Sequence, residues 1–157
     1  MIEEKAQAEF IYKVYKSYKE QVEIYGVENM KKSGDCLNYA IRGLDKVLGA
    51  NYASTEVIKR YSQEELKGAK WNKFRGAKYK DKDSHFEHAY PVSAMRKSLI
   101  LSDFSKEEAV SFILGSYACC FITSEENKRL NSLGFNSKRP DGWKEAYKKA
   151  DINFISL

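Results

Sequence analysis

His85 and His88 are the only histidines of the chain, and with Glu87 they sit in the run Ser84-His85-Phe86-Glu87-His88-Ala89-Tyr90-Pro91. An imidazole can take up and release a proton near neutral pH, and a carboxylate is a ligand for a hard divalent cation. On an extended strand adjacent side chains point to opposite faces, so Glu87 and His88 could serve a metal and a water from two sides of one strand. That is a kernel for metal-assisted hydrolysis, with His88 as the candidate base and Glu87 as a candidate ligand. His85, three residues before His88, falls on the opposite side of such a strand and reads as structural or as a substrate contact.

The charge is uneven around this run. The chain has 157 residues and a formal net charge of +5. Residues 67–82 read KGAKWNKFRGAKYKDK, seven Lys/Arg against one Asp, with Trp71, Phe74 and Tyr79 interleaved. Lys70, Lys73, Arg75, Lys78 and Lys80 from this stretch are candidate nucleic-acid contacts, together with Lys128, Arg129, Lys138 and Arg139. Basic patches of this kind favour polyanions, and nucleic acid is the usual one. The bland alternative is a solvated basic surface with its aromatic residues turned inward.

The length suits one well-buried core and is short for two full domains. Three cysteines without a CxxC pair argue against a zinc ribbon, and all three are expected to be reduced. The first residues lack the basic and apolar regions of a signal peptide, and no apolar run approaches the span of a membrane helix. The expected location is the cytoplasm, with no membrane partner.

The first half reads helical. Phe10, Val14, Tyr18 and Val22 recur every four residues and Gly26 is a natural stop. Asp35 can cap a second helix carrying Leu37, Ile41, Leu44 and Leu48, ended by Gly49, and Ser54 opens a third. Capping boxes stand at Ser62–Glu65, Ser105–Glu108 and Thr123–Glu126. Between them Phe86 to Val92 reads as extended chain stopped by Pro91, Gly115 breaks the helix that Ser105 starts, and Tyr117 to Ile122 reads as a buried strand. The helix after Thr123 carries Asn127 and Asn131, four apart and so on one face, and Asp141 can cap a last helix.

A strand with an acidic residue and a histidine, a second strand, and then a helix offering asparagine resembles the HNH family of the ββα-metal superfamily. The resemblance rests on Glu87-His88-x-x-Pro91 and on Phe121-Ile-Thr-Ser-Glu-Glu-Asn127-Lys-Arg-Leu130-Asn131, and covers roughly residues 84–140. It implies His88 as general base, Glu87 as ligand to a single Mg2+ or Mn2+, and Asn127 or Asn131 completing the metal shell. The family's middle asparagine has no clear match here, with Ser102 and Asp103 the only possibilities. Roughly thirty residues, including a whole helix, separate the two strands.

The expected fold is therefore α+β, a single compact domain with a mostly helical N-terminal half and a C-terminal HNH-like ββα-metal motif. Residues 1–79 would serve oligomerisation or nucleic-acid binding, with a homodimer as one outcome, and residues 80–157 would be catalytic. The expected function is a metal-dependent DNA endonuclease, of the sort found among small restriction or defence enzymes, with DNA ahead of RNA as substrate. The alternative is a non-catalytic helical binding protein, a phage-type inhibitor or regulator that engages nucleic acid or a protein.

Overall fold

The computed structural model describes residues 2–26, 28–30, 34–70 and 83–157. In chain order these form α1 (Ile2–Tyr25), α2 (Gly34–Arg42), α3 (Leu44–Val47), β1 (Tyr52–Ser54), α4 (Thr55–Ile58) and α5 (Gln63–Leu66). There follow β2 (Ser84–His88), α6 (Val92–Leu101), α7 (Lys106–Ser116), β3 (Cys119–Thr123), α8 (Ser124–Ser132), α9 (Trp143–Lys149) and β4 (Phe154–Ser156). The class is α+β, as the sequence led us to expect. The chain divides into two compact units, each made of two stretches: residues 1–47 with 92–117, and residues 48–91 with 118–157. Among the described residues no helix is long and apolar enough to cross a membrane.

The first unit is all helix. α1 buries Ala8, Ile11 and Tyr15, spaced so that they share one side of the helix, and packs against α2 and α7. The Tyr15 hydroxyl donates to the Ser102 carbonyl at 2.7 Å, which satisfies a polar tip carried into the core. Gly26, with φ at 78°, ends α1 where the sequence placed its stop. The second helix is split at Gly43 into α2 and α3, because glycine weakens a helix interior. Asp35 lies in the first turn of α2. The helix α6 was not anticipated, although Val92, Met95 and Leu99 are buried at helical spacing. Its start at Val92 also shortens the extended segment expected to reach that residue. Helix α7 runs through Gly115 to Ser116, since a glycine in a last turn costs only about 1 kcal/mol.

The second unit is built on a four-stranded sheet in the order β2-β3-β1-β4. β3 pairs antiparallel with β2 and parallel with β1, and β1 pairs antiparallel with β4. β3 is therefore interior, and all five of its residues are buried, which explains why the run around Cys119 and Cys120 is continuously apolar. One face of the sheet presents Cys120 and Ile122 to Leu130, Tyr147 and Ile152. The other presents Phe121 to Val57, Leu66 and Phe86. β1 and β4, three residues each, are too short to show alternation and were not foreseen. The last helix takes Gly142 as its N-cap, without a side-chain cap bond, and Asp141 accepts instead from Lys149 Nζ at 2.7 Å.

Candidate functional site: the β2–β3–α8 segment

The start of α8 is fixed by three partners. Thr123 Oγ1 accepts from the Glu126 amide at 3.1 Å, and Glu126 Oε2 accepts from the Thr123 amide at 2.7 Å, closing the capping box. The same Oε2 accepts from Ser54 Oγ at 2.7 Å, so a carboxylate that is 1% exposed ties α8 to the end of β1. The Ser124 amide donates to the Asp83 carbonyl at 2.6 Å, which joins α8 to the approach of β2. From there α8 packs against β2 and β3, with Leu130 in the core.

The register of β2 on β3 decides where the chemistry-bearing side chains point. Phe86 lies opposite Phe121, Glu87 opposite Cys120 and His88 opposite Cys119. Glu87 and His85 share the face that α8 and Tyr147 cover, with His85 Nε2 3.8 Å from Glu87 Oε2. Phe86 and His88 occupy the other face, their rings 6.0 Å apart in an edge-to-face arrangement. Glu87 and His88 thus stand on opposite sides of one strand, as alternation requires. Asn127 is half-buried and Asn131 exposed, one turn apart on α8.

Glu87 has a partner that spacing alone could not reveal. The guanidinium of Arg139 donates through Nη2 to Glu87 Oε1, and the Arg139 side chain is only 2% exposed. The same guanidinium donates to the His88 carbonyl at 2.8 Å, to the Phe135 carbonyl at 3.1 Å and to the Ala89 carbonyl, and it lies 5.7 Å from the centre of the Tyr147 ring. A half-buried carboxylate on a strand needs a compensating cation. From the sequence Glu87 read only as a metal ligand; neither its half-burial nor its partner fifty-two residues further on was legible there.

The ligand set can be weighed against a divalent ion on this geometry. Glu87 Oε2, left facing His85, and an asparagine amide oxygen are donors of the type that Mg2+ or Mn2+ takes. In kind they fit. Arg139, however, cancels the charge of Glu87, so the pair offers an ion no net negative charge of its own.

The basic residues divide in the same way. Arg129 donates to the Ala150 carbonyl at 2.9 Å and the Asp151 carbonyl at 3.2 Å, so both it and Arg139 are bound into the protein. Lys128 is exposed, 3.7 Å from Glu125, and Lys138 is exposed. Lys70 is half-buried. Lys73, Arg75, Lys78 and Lys80, with Trp71, Phe74 and Tyr79, lie outside the described residues.

Two other reactive side chains can be set aside as nucleophiles. Burial pushes the Cys120 thiol and the Tyr147 phenol well above their ordinary values, which keeps both protonated near neutral pH. A cleft of about 540 Å³ opens where the parallel strands β1 and β3 end, lined in part by Thr55, Arg60, Asp83, Ser124, Lys128 and Asp151. Its lining carries both signs of charge, with Arg60 3.5 Å from Asp83. No family model, no curated protein and no solved structure matches this chain.

Proposed function

We propose that this chain is a metal-dependent endonuclease of ββα-metal type that hydrolyses phosphodiester bonds, DNA ahead of RNA. The observation that carries the reading is the order of the elements. β2 ends in Glu87-His88, pairs antiparallel with β3, and β3 runs without a loop into α8, which bears Asn127 and Asn131. That order of strand, strand and helix supports the reading drawn from the Glu87-His88-x-x-Pro91 and Glu126-Asn127 segments, with α6 and α7 inserted between the two strands.

In this reading the imidazole of His88 takes the proton from the attacking water, which requires the end of β2 to turn on binding, because the ring lies on the sheet face away from Glu87 and α8. Arg139, bound to the His88 and Ala89 carbonyls, fixes the backbone that presents that ring. Glu87 Oε2 with Asn127 or Asn131 would hold the ion, which when bound neutralises charge developing on the phosphate. Because Arg139 already balances Glu87, the substrate phosphate would supply the negative charge that holds the ion, and metal affinity would rise with nucleic acid present. Exposed lysines such as Lys128 and Lys138 set affinity for the backbone and carry no sequence information.

The Glu87–Arg139 pair favours one other reading. If its whole role is structural, the chain is a non-catalytic binding protein and the Glu-His dipeptide has no part in turnover. The experiment that separates the two is cleavage of plasmid, single-stranded DNA and RNA with Mg2+ or Mn2+, with binding affinity measured beside it. For the enzyme, His88→Ala loses about 10²-fold or more in rate and keeps its affinity. Bound but intact substrates with the wild-type protein would favour the binder.

A further inference from the structure

α1 buries one apolar stripe in the first unit and carries beside it a second line of residues, apolar at three of five positions. Ala8, Ile11 and Tyr15 face the core. About a third of the way around the helix, Phe10, Val14, Ser17, Gln21 and Ile24 recur at alternating spacings of four and three, the period of a helix-pairing seam. Phe10 is 51% exposed and Ile24 67% exposed. Beside the seam runs a groove of about 420 Å³, lined in part by Val14, Tyr18, Gln21 and Met30. At 24 residues the helix offers a seam about 36 Å long.

The charges flanking the seam say what covers it. Lys13 and Glu20 are both exposed, lie seven residues apart, and so share one flank. In a parallel pair this flank would meet the opposite flank of the second copy, Lys13 against Tyr18 and Glu20 against Tyr25, and neither charge would find a countercharge. Laid antiparallel about a two-fold near Ser17, Lys13 of one copy faces Glu20 of the other, twice by symmetry, and Phe10 comes beside Ile24 of the second copy. Such an isologous contact is self-complementary only in the antiparallel sense.

We infer that α1 pairs with α1 of a second copy as an antiparallel, two-fold symmetric helix pair, sealed by Phe10, Val14 and Ile24 and oriented by Lys13 and Glu20. A single helix pair is a small interface, so the dimer is concentration-dependent.

Sedimentation equilibrium of the full chain tests this with Lys13→Glu, Glu20→Lys and the double exchange, each checked for fold by circular dichroism. Both side chains are exposed, so the variants keep the fold. The wild type is expected to dimerise. Each single reversal, which sets like charges against each other twice, is expected to weaken the dimer about ten-fold or more. The double exchange is expected to restore it. A wild type that stays monomeric at its highest soluble concentration overturns the inference. So does a dimer indifferent to the single reversals, or a double exchange no better than either single change.

Discussion

Replacing Arg139 with methionine would keep most of the apolar stem and remove every donor that now holds Glu87 and the Phe135, His88 and Ala89 carbonyls. Breaking one side of a buried pair leaves the other charge uncompensated, so Arg139→Met is expected to cost about 3–5 kcal/mol in urea unfolding. Glu87→Gln keeps an acceptor for the guanidinium and is expected to cost less, about 1.5–3 kcal/mol. Equal losses in the two variants would show that the carbonyl bonds contribute nothing. The sequence alone made Arg139 a phosphate contact, since its charge was visible and its burial was not. The cysteines were easier to read, because Cys119 and Cys120 lie in an apolar run whereas Cys36 is exposed. A thiol reagent at pH 8 is expected to modify only Cys36 in the folded protein and all three in denaturant. Rapid reaction of Cys120 without denaturant would mean that the second unit opens far more readily than its packing implies.

Among the elements, Gly49 makes the most severe local demand. Its φ is 71°, and a Cβ there would lie 2.7 Å from the Gly68 carbonyl oxygen and 2.8 Å from that of Ala69. The Ala50 amide donates to the Ala69 carbonyl at 2.9 Å, so the two backbones cannot separate freely. Gly49→Ala is therefore expected to destabilise by about 1–3 kcal/mol or more, measured by thermal unfolding. Gly26→Ala has the same sign of φ and open space around it, and should lose only the conformational part. Helix starts were the most legible elements. The boxes at Ser62, Ser105 and Thr123 are all formed, because a cap depends on residues three apart and on little else. Ser105→Ala is expected to cost about 1 kcal/mol. The strands β1 and β4 were invisible for the opposite reason. Three residues cannot display a period of two, and what makes them strands is a ladder with residues far along the chain.

For the whole molecule, both units draw on two separated stretches, so no single cut isolates either. A fragment of residues 80–157 keeps β2, β3 and β4 but lacks β1, the strand that pairs with both β3 and β4. It is expected to show no dispersed amide spectrum by NMR, and a well-folded fragment would show that the β2–β3–α8 segment is self-sufficient. What the sequence conveyed at this scale was the class and the order of β2, β3 and α8. It did not convey that the two halves of the chain exchange segments, since local periodicity carries no information about distant pairing. That pairing also imposes a timetable on the ribosome. β1 is made early, yet its ladder stays unfilled until Phe154–Ser156 has been synthesised, roughly five to twenty seconds later at ordinary elongation rates. During that interval the nascent chain carries an unpaired strand edge that a holding chaperone could cover.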